Sequence, residues 1–282
     1  MMRLAPALLA LALLAAAPLT AAQRPAPPSP AAPSANQSAA PRPAPDVITT
    51  NTRIIPPPAN HKFPNGQTLV YDVEWRLWRA GSASIRLDAA GAEERITGTA
   101  DSSGVVSLLY GVHDRFETFF DAKTFCSRQI TKNTEEGFRK RQTQIRFDHA
   151  RGKAVLDEKD LKKGTAKHVE NDIPACATDV LSGIFYVASL PLAPNVTYTL
   201  PLNDGGKTAE VKVTVEAREK IKTPAGEFNT VRVQPESLAG LVKSRGRIWL
   251  WYTDDAAHTP VQMRAKMGWG TLTFRLTRIE RK

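Results

Sequence analysis

From His61 onward the apolar positions recur every second residue. Leu69, Tyr71, Val73, Trp75 and Leu77 are apolar, and Asp72, Glu74 and Arg76 separate them. That period matches the alternation of side chains on a half-buried strand. Ala83, Ile85 and Leu87 then alternate with Ser84, Arg86 and Asp88, so the two runs form a hairpin with Trp78-Arg79-Ala80-Gly81 as its expected turn. Val211, Val213 and Val215 repeat the pattern. Thr223-Pro224-Ala225-Gly226 is a turn with proline preset at its second position, and Phe228–Gln234 returns from it. Gly246–Thr253, Pro260–Met267 and Thr271–Ile279 complete a carboxy-terminal meander, with turns at Asp254-Asp255 and Gly268-Trp269-Gly270. Phe125–Asn133, Gln142–His149 and Ala154–Glu158 are strands of the middle region. Asn203–Thr208 reads as a loop between strands.

One segment departs from this period. In Thr178–Leu190 the apolar residues fall at 180, 181, 184, 187 and 188, and Pro191 follows. Spacings of three and four predict an amphipathic helix capped by Thr178 or Asp179. Ser103–Tyr110 is a second, shorter candidate. Ten to twelve strands and one clear helix predict a mainly β fold. The expected form is a curved antiparallel sheet or partly closed β-barrel, with the helix near residues 178–190 covering or plugging it.

Composition divides the chain. Thirteen of its 21 prolines lie in the first 60 residues. Residues 1–22 read as a secretory signal, with Arg3 as the positive region, an apolar stretch over Leu4–Leu19 and small residues at Thr20-Ala21-Ala22. Residues 23–60 hold 11 prolines among Ala, Ser and Asn, a disordered and semi-rigid spacer. Ile48 and the pair Ile54-Ile55 are the residues of that spacer suited to apolar contact with the domain. Residues 61–282 are then expected to form one β-rich domain, enough to bury roughly 70% of the unfolded surface. The expected location is the bacterial periplasm or the outside of the cell, with no transmembrane span after cleavage.

The formal net charge is +10. Leader and spacer carry four Arg against one Asp. Arg128–His168 holds twelve Lys or Arg against six Asp or Glu. The excess is therefore a local basic face, with Arg139, Lys140 and Arg141 at its centre. It suits an anionic envelope surface better than nucleic acid, for which no recognition motif is present.

Candidate chemistry is sparse. Cys126 and Cys176 are the two cysteines, and in an exported chain they are expected to form one disulfide. His61, His113, His149, His168 and His258 make no zinc-ligand spacing. Asp254-Asp255 with His258 is more ordinary as a strand end than as a metal site, and His113-Asp114-Arg115 as a polar strand end than as a catalytic group. Neither a nucleophile elbow nor a phosphate-cradling loop is present, so no cofactor, no metal and no enzymatic activity are expected. On the strand Gly246–Thr253, Trp249 and Trp251 share one face with Arg247, while Ile248, Leu250 and Tyr252 share the other. With both faces bulky, the strand is either covered on both sides or lines a cavity. Trp75, Arg247, Trp249 and Trp251 are the candidate ligand-binding residues.

Several short motifs, in order, resemble one family. They are Phe63-Pro64-Asn65-Gly66-Gln67-Thr68-Leu69-Val70-Tyr71 with Trp75 and Ala80-Gly81; His113-Asp114-Arg115-Phe116-Glu117-Thr118; Ile173-Pro174 with Thr178-Asp179-Val180-Leu181-Ser182; Thr223–Phe228; and Trp249 with Thr253-Asp254-Asp255. The pattern is similar to the domain-of-unknown-function 3108 family of exported bacterial proteins, over about residues 61–280. The resemblance implies an exported, mostly antiparallel β protein and brings no catalytic residue with it.

The expected function is a non-catalytic periplasmic protein holding an apolar or glycan-containing envelope ligand. The alternatives are an interaction module acting through the basic face, and a hydrolase of envelope polymer that would need two carboxylates in a cleft.

Overall fold

The computed structural model describes residues 48–49, 53–58, 61–76, 78–237, 246–268 and 270–281. The expected leader, most of the expected spacer, Leu77, residues 238–245 and Trp269 lie outside the described residues. Strands are β1 (Ile48–Thr49), β2 (Gln67–Trp75), β3 (Trp78–Ala90), β4 (Glu93–Ser102), β5 (His113–Asp121), β6 (Ser127–Glu136), β7 (Arg139–Asp148), β8 (Lys153–Asp160), β9 (Thr165–Asp172), β10 (Val196–Asp204), β11 (Lys207–Thr223), β12 (Gly226–Ser237), β13 (Arg247–Thr253), β14 (Pro260–Met267) and β15 (Gly270–Arg281). Two helices, α1 (Gly104–Leu109) and α2 (Val180–Ala188), interrupt them. The mainly β, curved antiparallel expectation holds, with Asp179 rather than Thr178 as the cap of the main helix.

All strands join one sheet. β2 to β9 follow one another as an antiparallel meander, β10 to β15 form a second, and β15 pairs with β2 to unite them. The period of two explains the pairing. Leu69, Tyr71 and Val73 of β2 are buried while their neighbours are half-exposed, so one face turns to the interior. Register shifts at Val73/Glu74, Phe119/Phe120, Val215/Ala217, Trp251/Tyr252 and Leu276/Arg278 bend the ladder. Bulges of this kind raise the local twist and let a long sheet curl onto its own core.

The sheet ends at β9 on one side and, beyond the two-residue β1, at β10 on the other, and β9 and β10 are not ladder neighbours. The segment after β9 acts as a strap from the first residue of β6 to the β10 edge. Ser127 N–H donates to Ala177 O at 3.0 Å on one side. On the other, Thr178 N–H donates to Pro201 O at 3.0 Å and Asn203 N–H to Thr178 O at 2.8 Å. β1 covers the start of the same β10 edge in parallel, Ile48 against Val196. An exposed ladder edge invites association with other chains, and both additions blunt it.

Cys126 and Cys176 are disulfide-bonded, with Cα atoms 5.1 Å apart. The bond fixes the strap to the β5–β6 turn and closes a loop of 50 residues in sequence separation. In the chain-entropy account it stabilises the fold by about 4 kcal/mol.

The β2–β3 turn falls earlier than expected. Trp78–Gly81 belongs to β3, and Arg76, with φ of 58°, makes the reversal. Gly81 serves a different end. A Cβ there would lie 2.1 Å from Asp101 O, so glycine lets β3 and β4 approach. Ile54 is buried in the core, and Ile55 N–H donates to the Tyr186 hydroxyl at 3.0 Å, so this part of the spacer docks on the domain.

Candidate functional site

α2 lies within the curve of the sheet. Leu181, Phe185, Tyr186 and Val187 are all buried in the main core with Phe120, Phe125, Leu200 and Val213. Each such side chain contributes roughly 1.5–3 kcal/mol of transfer free energy. The helix starts at Asp179, whose Oδ1 accepts from Leu181 N–H at 2.8 Å and Ser182 N–H at 3.1 Å. Its Oδ2 accepts from the hydroxyls of Thr118 (2.7 Å), Ser127 (2.6 Å) and Ser182 (2.6 Å). A carboxylate 1% exposed is tolerated here because five donors converge on it. The helix position is thus fixed from β5, β6 and its own first turn.

Between α2 and β10 to β14 the packing leaves a cleft of about 140 Å³. Val180, Ile184 and Val187 form one wall; Leu200, Val211, Val213, Leu250 and Met263 stand opposite. Gly183 faces the cleft, and the absence of a side chain there keeps room open. Tyr252 commits its hydroxyl to Ile184 O at 3.0 Å. A smaller void of about 30 Å³ shares Ile184, Leu250 and Met263 with it.

The alternation on β13 is as read, but its interior face is the aliphatic one. Ile248, Leu250 and Tyr252 line the cleft. Trp251 turns to the other face and donates from Nε1 to Glu219 Oε1 at 2.7 Å, beneath the Arg264 guanidinium. Trp249 packs partly buried against the core, and Arg247 is exposed. Trp75 sits at the end of β2, its ring under the Arg76 guanidinium at 5.5 Å from the centroid. The four candidate residues therefore do not converge around this cleft. A strand bulky on both faces conceals which face is inside.

Arg139, Lys140 and Arg141 open β7 at the β6–β7 turn. Lys140 pairs with Glu135, and Arg141 lies 4.0 Å from both Glu158 and Asp160. Asp254 holds Arg218 at 2.8 Å, Asp255 accepts from Thr253 Oγ1 at 2.8 Å, and His258 Nδ1 donates to Ala188 O at 2.8 Å. These three side chains diverge to separate partners.

A carboxyl pair is the feature sequence reading passed over. Asp114 and Glu136 are both buried, beside Tyr110. Burial first, and then the Glu136 charge, pushes the Asp114 carboxyl up to about 7. Burial likewise raises Glu136. Asp114 accepts from Glu135 N–H at 3.0 Å. His113-Asp114-Arg115 had the composition of a polar strand end. Nothing in its spacing marked that the middle residue turns inward to meet a glutamate 22 positions away.

The family model described as "Protein of unknown function (DUF3108)" matches residues 70–277. A crystal structure of a β-barrel-like protein of domain of unknown function DUF1849 from Brucella abortus aligns with a TM-score of 0.54 at 11% identity, over 82% of this chain and all of that one. A Bacteroides fragilis protein with a YmcC-like fold aligns at 12% identity with a TM-score of 0.29, over 78% of this chain and 98% of that one. No curated protein matches. Among the described residues no helix is long and apolar enough to cross a membrane.

Proposed function

Since the chain belongs to the DUF3108 family, whose description carries no activity, we propose from the geometry that it is an exported, non-catalytic protein that holds the apolar end of an envelope lipid in the cleft beneath α2. The observation that carries this reading is the lining. Apart from Ser237 and Tyr252 every residue of the cleft is apolar, and the tyrosine hydroxyl is already engaged. A sugar would leave its hydroxyls facing aliphatic carbon, which costs several kcal/mol for each unmet polar group. An acyl terminus meets no such penalty.

Volume narrows the ligand further. A cavity of about 150 Å³ lined by aliphatic residues stays dry and accepts a benzene-sized guest, whereas sites for whole drug-sized molecules begin near 300 Å³. A cleft of about 140 Å³ takes a short run of methylenes, with the rest of the lipid outside. Export is supported by the leader pattern and by the Cys126–Cys176 bond, which persists in oxidising compartments.

The test is organic extraction of natively purified protein with mass spectrometry, joined to displacement of a fluorescent fatty acid. A Cβ at Gly183 meets its neighbours at 3.7 and 3.8 Å, so Gly183→Ala fits, while Gly183→Leu fills the cleft. Wild type and Gly183→Ala should bind the probe and Gly183→Leu should not. Protein that carries no lipid and takes up no probe overturns the reading.

A further inference from the structure

Hairpins alternate between two rims of the curled sheet, and one rim differs from the other. The β2–β3 turn, the β4–β5 connection with α1, the β6–β7 turn and the β8–β9 turn all fall on the same rim. Eight large apolar side chains are exposed among the described residues, and six of them stand there. They are Trp78 (75% exposed), Val105 (71%), Leu108 (86%), Leu109 (71%), Phe138 (96%) and Leu161 (43%). The other two, Ile55 and Ile279, are elsewhere. Helix α1 buries none of its residues, so packing does not account for its apolar composition.

This rim is built rather than loose. Ser103 N–H donates to Ala80 O at 2.9 Å, and Gly137 N–H to Gly111 O at 2.7 Å, so α1 is tied to β3 on one side and to the β6–β7 turn on the other. The Tyr110 ring lies against Gly137 so closely that a Cβ there would sit 2.5 Å from it. The apolar tips are held in place before any partner arrives.

Charge says what the partner is. Residues 76–79, 103–112, 135–141 and 160–164 carry seven Lys or Arg (Arg76, Arg79, Arg139, Lys140, Arg141, Lys162 and Lys163) against Glu135, Glu136 and Asp160. Phe138, the most exposed of the apolar side chains, directly precedes Arg139-Lys140-Arg141. Protruding aromatic and aliphatic tips within a basic collar match an interface with carbon just below a layer of negative headgroups. A structured protein partner would call for one continuous apolar patch. Here the tips stand on separate connections with cations between them, an arrangement a fluid surface accommodates.

We propose that this rim docks on the surface of anionic phospholipid bilayers, with Trp78, Leu108, Leu109 and Phe138 entering the headgroup–acyl boundary and Arg139, Lys140, Lys162 and Lys163 facing the headgroups. The proposal does not depend on the cleft beneath α2, and its test involves no extracted lipid. The full chain is sedimented with phosphatidylcholine vesicles, with and without phosphatidylglycerol. Binding is expected only to the anionic vesicles, and it should weaken as salt is raised. The variant Leu108→Ser/Leu109→Ser/Phe138→Ser should bind them about tenfold more weakly, with an unchanged unfolding midpoint because all three side chains are exposed. Arg139→Glu/Lys140→Glu should abolish the preference for anionic vesicles, and this second variant leaves the apolar tips untouched. Equal binding by wild type and both variants, or no binding to anionic vesicles, overturns the proposal. So does a wild-type oligomer that the triple serine variant dissolves in the absence of any vesicle binding, which would make the rim a protein interface.

Discussion

The Ser127 hydroxyl donates to Asp179 Oδ2 at 2.6 Å and receives the Asp179 backbone N–H at 2.8 Å. This reciprocal pair joins the first residue of β6 to the cap of α2, 52 positions along the chain. Cys126, the preceding residue, is disulfide-bonded to Cys176 three residues before the cap. Covalent bond and hydrogen bonds thus converge on one point, and the strap that runs from β6 to the β10 edge hangs from it.

Removing the Asp179 side chain should be costly in proportion to what it satisfies. Asp179→Ala leaves two helix N–H groups and the buried hydroxyls of Ser127 and Ser182 short of an acceptor, while the Thr118 hydroxyl keeps Gln129 O at 3.0 Å. Loss of a cap costs about 1 kcal/mol, and each newly unmet buried donor adds to it. We expect a loss of about 3 kcal/mol in urea-unfolding free energy. Asp179→Asn keeps the capping oxygen and should lose about a third of that. Equal losses for the two variants would show that the charge, not the cap, holds the helix.

Asp114 makes the pH dependence readable. Its folded-state value is raised to about 7, whereas in an unfolded chain the carboxyl titrates near 4. Below about pH 4 it is protonated in both states and costs nothing. As pH rises toward 7 the unfolded state releases its proton more readily, so stability falls, and above 7 the deficit is constant. The raised Glu136 acts in the same direction. Asp114→Asn keeps an oxygen to accept Glu135 N–H and removes the charge. It should match wild type at pH 4 and exceed it by up to about 4 kcal/mol at pH 8. The measurement is the unfolding free energy of both proteins across that range. A variant less stable than wild type at pH 8 would mean that ionised Asp114 has a partner worth more than its desolvation.

The period of two made most of the sheet legible, because strands with one wet face announce themselves. Its failures are physical. β9 is exposed along nearly its whole length, so Thr165–Asp172 shows no apolar alternation. β10 is buried at seven of its nine positions, since α2 and the strap cover what an ordinary strand leaves wet, and its run of Thr, Tyr and Leu has no period to read. Gly81 was legible as special but not as to why. A glycine needed for a turn and one needed for close strand approach look alike until the neighbouring strand is placed. On β13 the tryptophans drew attention by size, yet the cleft is lined by their aliphatic neighbours. Exposure decided the rim. Phe138 beside three basic residues is a surface signal only once the β6–β7 turn is known to project it.

The last prediction concerns a contact no local pattern could reveal. Lys132 on β6 points inward and pairs with Asp204 at the end of β10, 72 residues away, and both side chains are buried. The pair crosses the interior between the two meanders near the seam, where no ladder joins β9 to β10. Withdrawing two charges from water is expensive, so their attraction is not evidence of net stabilisation. Breaking the pair is another matter. Lys132→Met strands a buried carboxylate and should cost about 3–5 kcal/mol, and Asp204→Leu should cost a similar amount by stranding the ammonium. The double variant Lys132→Met/Asp204→Leu restores an apolar interior and should recover most of the loss, leaving it within about 1 kcal/mol of wild type. A double-mutant cycle in urea measures this coupling directly. If the two losses simply add, the pair is not isolated from water, and the seam admits solvent between β6 and β10.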